Sequence, residues 1–285
     1  MTIIADSGST KTDWCLCEEG RVVATIQTQG INPFHQTEET IRRILHDELC
    51  STVFSEALIG RGRTEGFFYG SGCTESKAPW LRSLLNDELS SHGVEFELYN
   101  DLLGAARSLF GYGQGIACIL GTGANSCFYD GTGIVANTPP LGYILGDEGS
   151  GAVLGRSFLN GIFKGWLSAD LRDDFLAWVG LDYAGVIDRV YRRPMANRFL
   201  ASIVPFISKI VNEKSDVEMM VVENFRSFFR LNISPYQRGD LSVSFIGGVA
   251  NAFEPQLRKA AEIERYRIGA IEKSPMKGLI NYYFK

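Results

Sequence analysis

The sequence predicts an α/β protein of two lobes, and three observations predict it. Short strand-like apolar runs alternate with helix-period segments along most of the 285 residues. A strand, glycine loop and hairpin occur twice: shifting the first copy by 113 positions lays Gly8 on Gly121, Gly20 on Gly133, Val22 on Val135 and Thr25 on Thr138. A long helical block, about 149–232, interrupts the second copy and has no counterpart in the first.

In the first copy, strands are predicted at 2–6, 12–18 and 21–28. The stretch ADSGSTKTD (5–13) puts Asp6 at a strand end, followed by small residues around Lys11. Such a loop suits an anion, because small residues let backbone N–H groups approach it and a lysine adds charge. It is not a Walker loop: one glycine precedes the lysine, and the alternation after it, broken at Glu18-Glu19-Gly20, reads as a hairpin rather than a helix. A helix over 37–50 follows, with Ile41, Ile44, Leu45 and Leu49 on one face and Glu38 and Glu39 in its first turn. GFFYG (66–70) reads as a buried strand, 77–91 as a helix and VEFELY (94–99) as a strand. Asn100-Asp101 ends that strand, and LLGAARSLF opens a third helix.

The second copy starts with IACILGTG (116–123), a strand ending in a glycine loop, and NSCFYDGTGIVANT continues it as a hairpin. In the helical block, Phe199, Leu200, Ile203, Ile207 and Ile210 share one face, with a kink expected at Pro205. Val217, Met220, Val221, Phe225, Phe228 and Phe229 form the core stripe of another helix. SVSFIGGVAN (242–251) is a strand ending in Gly247-Gly248; a helix to about 265, the strand YRIGAI and a helix over 275–284 complete the pattern. The lobes are expected at 1–108 and 109–285, with the last helix packing back on the first.

Composition narrows the function. A net charge of −5 gives no basic face for nucleic acid, and no apolar run reaches the ~18 residues of a membrane helix. Asp6 interrupts any leader-like start, and the six cysteines include no C-x-x-C pair, so buried reduced thiols in a cytoplasmic protein are expected. The three histidines show no metal-ligand spacing.

DSGSTKTD, LGTGANS (120–126) and FIGGVAN (245–251) resemble, in that order, the first phosphate loop, second phosphate loop and adenosine loop of the actin-like sugar kinase and ATPase superfamily. GYILGDEGSG (142–151) contains the GDEGS core of one group within it, the N-acetylglucosamine kinase and BadF/BadG/BcrA/BcrD ATPase family. The resemblance implies two actin-like (ribonuclease H-like) lobes around an ATP cleft, with the helical insertion in the second lobe. It implies ATP and Mg²⁺ as cofactors, an amino sugar as acceptor and, more loosely, a homodimer.

The resemblance also implies roles. Gly8, Ser9, Thr10 and Lys11 in one lobe, and Gly121, Thr122 and Gly123 in the other, would hold phosphates. Gly247 and Gly248 would let the backbone approach the nucleoside, and Asp6 would hold Mg²⁺ through water. Asp101 would be the catalytic base and contact the sugar with Asn32, Thr122, Asn125 and Asp147. Each has an ordinary alternative: Asp6 a turn aspartate, Lys11 a surface lysine, Asn32 an Asn-Pro turn, Asp101 a helix N-cap, Asp147 and Glu148 caps for a helix near Gly149. GSGC (70–73) is a further possible pocket wall. Where human-type amino-sugar kinases carry an aromatic residue ahead of the GDEGS segment, this chain has Leu141. Two other functions fit less well. A BadF-type ATPase activator needs cluster-ligating cysteines after the second phosphate loop, and no cysteine follows Cys127. A nucleotide- or sugar-binding sensor without turnover is distinguished only by assay.

Overall fold

A computed structural model describes residues 1–52, 57–58 and 64–284. The chain forms two compact units, Met1–Gly113 with Pro275–Lys285, and Gln114–Ser274.

The first unit is built on strands β1 (Thr2–Ser7), β2 (Lys11–Glu18), β3 (Arg21–Gln29), β4 (Thr64–Gly70) and β5 (Val94–Asn100), in sheet order β3-β2-β1-β4-β5. The first three are antiparallel neighbours, and β4 and β5 run parallel to β1. The β2–β3 turn works because Glu19 and Gly20 both take positive φ (48° and 78°), which matches the twist of a two-residue hairpin. Central β1 has Ile3, Ile4 and Ala5 fully buried, so both faces of the sheet are covered. One face, through Ile3, Trp14, Leu16 and Phe68, packs against α1 (Glu38–Arg43) and α2 (Ala78–Leu89). The other, through Ile4 and Tyr69, receives Leu279 of the C-terminal helix, α13 (Met276–Phe284). Helix α1 is capped by the Thr37 side chain and widens into a π-turn over Ile44–Cys50. Helix α3 (Asp101–Phe110) leaves the end of β5.

The second unit repeats the plan. Strands β6 (Gly115–Leu120), β7 (Ala124–Tyr129), β8 (Ile134–Asn137), β9 (Val243–Ile246) and β10 (Ile268–Glu272) lie in the order β8-β7-β6-β9-β10. Strand for strand this is the order of the first sheet, so the duplication read from glycine spacing is a duplication of topology.

Between β8 and β9 come α4 (Gly142–Leu145), α5 (Gly151–Lys164), α6 (Asp170–Val179), α7 (Tyr183–Tyr191), α8 (Ala196–Ala201), α9 (Val204–Ile210) and α10 (Ser215–Phe228). Their apolar stripes are core: Phe158, Phe175, Ile203, Val221, Phe225 and Phe228 are buried in one cluster with the sheet residues Ile116, Leu120 and Phe245. Pro205 does not kink a continuous helix, as expected above. It sits in the first turn of α9, where its missing N–H goes unused, and a break at 202–203 separates α8 from α9. After β9 come α11 (Gly248–Ala252) and α12 (Glu254–Ile263). Among the described residues, no helix is long and apolar enough to cross a membrane.

Candidate functional site

In the first unit the residues of interest gather at one sheet edge. Asp6 lies opposite Asp13 on β2 and Tyr69 on β4. Ser7 is level with Gly70, and Gly70 with Asn100, so Asp6 and Asp101 leave the edge two strands apart, about 10 Å at the backbone. Burial, then the facing charges of Asp101 and Asp13, push the Asp6 carboxyl up to about 7 against the pull of Lys11. Burial pushes Asp101 up to about 6, moderated by the N–H groups of Leu102 and Asp101 itself. The Asp6 carboxyl thus senses two acidic neighbours, Asp101 and Asp13, and one cationic neighbour, Lys11. Among the described residues, no group of three His, Cys, Asp or Glu is arranged to hold a metal ion.

Asp101 is not the helix cap. The side chain of Asn100 fills that role, Oδ1 accepting from Leu103 N–H at 2.7 Å, and Asp101 is the first helical residue. Its carboxylate meets instead the N–H groups of Leu102 and of Asp101 itself. Asn100→Ala is expected to lower stability by about 1 kcal/mol in urea unfolding, the usual loss for an N-cap. A loss under 0.3 kcal/mol would show that the cap is inert.

The first glycine loop closes on itself. Gly8 N–H donates to Lys11 O (3.0 Å), and Gly30 N–H donates to Thr10 O (3.1 Å). The loop lies on Gly30, where a Cβ would stand 2.4 Å from Gly8 O and 2.9 Å from Lys11 N, so only glycine fits beneath it. Sequence reading passed over Gly30; its position two residues before Asn32 was the available signal. Lys11 Nζ pairs with Asp13 at 2.8 Å on the surface, a contact weak enough to exchange for a phosphate. Asn32 is buried, its Oδ1 accepting from Phe34 N–H (2.9 Å), so the Asn-Pro turn is real. Gly72 abuts it: a Cβ there would meet Asn32 Oδ1 at 2.7 Å. Burial, and then the charge of Asp101, pushes the Cys73 thiol up to about 12, so the 70–73 stretch lies near Asp101 as well as Asn32.

In the second unit, Gly121 N–H donates to Gly123 O (3.0 Å), closing the second loop. Among the described residues, none takes a backbone hydrogen bond from the N–H groups of Thr122 and Gly123. Gly121 O and Thr122 O accept from Gly151 and Ala152 N–H (2.8 and 3.1 Å), tying the loop to the start of α5. Asp147, at φ 55°, brings its carboxylate to the same loop: Oδ1 accepts from Ala124 N–H at 3.4 Å, and a Cβ on Gly123 would lie 3.1 Å from Oδ2. Burial pushes Asp147 up to about 6. Neither it nor Glu148 caps the following helix, because Ser150 does, accepting from Val153 N–H at 3.1 Å. Asn125 Oδ1 accepts from Ser126 N–H and Asn137 Nδ2, both at 2.9 Å.

The glycines of the third motif divide. At Gly247 (φ 132°) a Cβ would lie 2.2 Å from Leu120 O, so this glycine is demanded by the fold. At Gly248 a Cβ would meet open space, so nothing in the protein itself demands glycine there. Gly247→Ala is expected to destabilise the protein by about 3 kcal/mol, through combined strain and clash, measured by urea unfolding. A change below 1 kcal/mol would show that β6 and β9 yield easily.

Two five-stranded sheets of one topology, each with a glycine loop at the end of its first strand, are the actin-like ATPase fold. MreB 5 of Spiroplasma citri, 10% identical, superposes with a TM-score of 0.60 over 99% of this chain and 93% of that one, which shows the fold alone. Scans of family models and of curated proteins give no match. The crystal structure of the "Putative N-acetylglucosamine Kinase" from Porphyromonas gingivalis is 45% identical, covers 100% of this chain and 99% of that one, and superposes with a TM-score of 0.95. A protein of the same description from Chromobacterium violaceum, 19% identical over 99% and 98% of the two chains, superposes at 0.76. The chain belongs to the N-acetylglucosamine kinase family of the actin-like ATPase superfamily.

Proposed function

We propose that this protein is an ATP-dependent kinase that phosphorylates a hydroxyl of N-acetylglucosamine or a close relative such as glucosamine. The observation that carries this reading is the Asp101 carboxylate, relieved of capping by Asn100 and set at the same end of the sheet as Asp6, two strands away. The family relationship to the P. gingivalis protein supports it.

Phosphoryl transfer asks for positioning and charge stabilisation rather than covalent help. Thr10 and Lys11, with the loop closed by Gly8 and Ser9, are assigned to ATP phosphates in the first unit. Thr122 and Gly123, with Gly121 closing the turn, have that role in the second. Gly248 admits the nucleoside and Gly247 fixes the strand end behind it. Asp6 would hold Mg²⁺ through water, and the ion would supply positive charge against the phosphates. Asn32, Asn125 and Asp147 orient the sugar, the two amides donating and the carboxylate accepting. Asp101 accepts the hydroxyl proton late, because a sugar hydroxyl is too weak an acid to ionise in advance.

The activator alternative is less well supported, because Cys118 and Cys127 are both fully buried and burial pushes both thiols upward, Cys127 to about 12. Cluster ligation needs accessible thiolates. A coupled ADP assay across glucose, glucosamine, N-acetylglucosamine, N-acetylmannosamine and muramic-type sugars tests the proposal. Sugar-dependent ADP release with an amino sugar is expected, and nucleotide binding without turnover on any sugar would favour the sensor.

A further inference from the structure

The helical insertion meets the second-unit loops of the candidate site through two asparagines, Asn224 and Asn232, that sequence reading did not single out. Asn224 interrupts the apolar stripe of α10 and is 8% exposed; Asn232, in the π-turn Phe229–Ile233 that ends the helix, is 4% exposed. Asn224 Oδ1 accepts from Gly149 N–H at 3.1 Å, and among the described residues nothing accepts from its buried Nδ2. A buried amide with one unmet donor is unfavourable and needs a reason. Asn232 makes contacts in two directions. Its Nδ2 donates to Glu148 Oε2 at 3.0 Å, and its carbonyl accepts from Ser126 Oγ (3.2 Å) and Thr138 Oγ1 (3.0 Å). Glu148 and Gly149 follow Asp147, and Ser126 follows Asn125. At the bend Gly149 takes φ 83°, which glycine adopts freely, whereas Asp147 is a non-glycine residue at φ 55°, a conformation that persists only when its surroundings impose it.

We infer that the end of α10 is a positioning element that sets Asp147 and Asn125 for the acceptor sugar, Asn232 bridging both and Asn224 fixing the bend. The kinetic part rests on the kinase reading above; the structural part does not. The decisive variant is Asn232→Ala, which removes the Glu148 contact and leaves the backbone contacts in place. A displaced substrate-positioning group lowers productive binding steeply. The KM for N-acetylglucosamine is expected to rise about tenfold while the KM for ATP stays within about twofold. The pair Glu148→Gln with Asn232→Asp reverses donor and acceptor and is expected to restore the sugar KM to within about threefold. Equal rises in both KM values, or failure of the reversed pair to restore, would overturn the inference.

Amide hydrogen exchange on the full chain provides a readout independent of turnover. Exchange across 146–150 is expected to accelerate at least about tenfold in Asn232→Ala while β9 keeps its protection. Unchanged exchange there would overturn the inference whatever the kinetics. If the parent protein phosphorylates no sugar, the kinase reading fails and the exchange result alone decides the positioning role.

Discussion

Asp101→Asn is expected to lower kcat for sugar phosphorylation by about 10²–10⁴-fold, the usual contribution of general-base catalysis. The sugar KM is expected to change little, because an amide oxygen still accepts the hydroxyl hydrogen in the ground state. The neighbouring Asn100→Ala provides the control: it removes a helix cap from the same turn, and its expected effect is on stability. The pH profile offers a second check. Burial holds Asp101 at about 6, so the carboxylate is ionised and competent above that pH. As pH falls through about 6 it gains a proton and cannot accept another, so activity falls on the acid side. Parent-level turnover by Asp101→Asn would mean that another group takes the proton or that none needs to.

Asp6→Asn carries the second large effect, in two opposite directions. The unfolded chain ionises Asp6 near the ordinary 3.8, whereas the fold holds the proton to about 7. Asp6 therefore favours folding below about pH 4, and that contribution is lost as pH rises through 7. At pH 8 the ionised carboxylate, partly buried opposite Asp13 and subject to the charge of Asp101, opposes folding by on the order of 4 kcal/mol. Replacing it with an uncharged amide is expected to raise the thermal midpoint of the ligand-free protein at pH 8 by several degrees, and by progressively less toward pH 4. The same change is expected to lower turnover with Mg²⁺ and ATP by at least about 10²-fold, and to abolish the stabilisation that these ligands confer on the parent. Destabilisation at pH 8 would show that the carboxylate is compensated within the fold and is not kept for a cation. The combination of greater stability and lost activity is what a charge retained for function should produce.

The parts of the fold legible in the sequence were those written in local chemistry. The Glu19-Gly20 turn, the β-alternation either side of it and the spacing shared with Gly121 and Gly133 are short-range signals, and they sufficed for duplicated sheets. What was misread depends on contacts between distant residues or on one-residue choices. Asn100 and Asp101 are both good caps, and only the position where β5 gives way to α3 decides between them. Asp147 and Glu148 stand where dipole-favoured acids stand, yet Ser150 caps α5 because the bend at Gly149 delays the helix by two residues. Pro205 was equally compatible with a kink and with a new first turn. Gly30 matters because of Gly8, twenty-two positions earlier and adjacent only after β1, β2 and β3 pair. Asn224 and Asn232 offered one signal, a polar residue within or beside an apolar stripe, but their partners at 148 and 149 lie far away in sequence.

The most direct measurement of the central claim is the phosphorus spectrum of a reaction containing the protein, Mg²⁺, ATP and N-acetylglucosamine. A sugar phosphomonoester accumulating in step with ADP, and absent when Asp101→Asn replaces the parent, is the predicted result. Release of inorganic phosphate at a rate indifferent to sugar would contradict it.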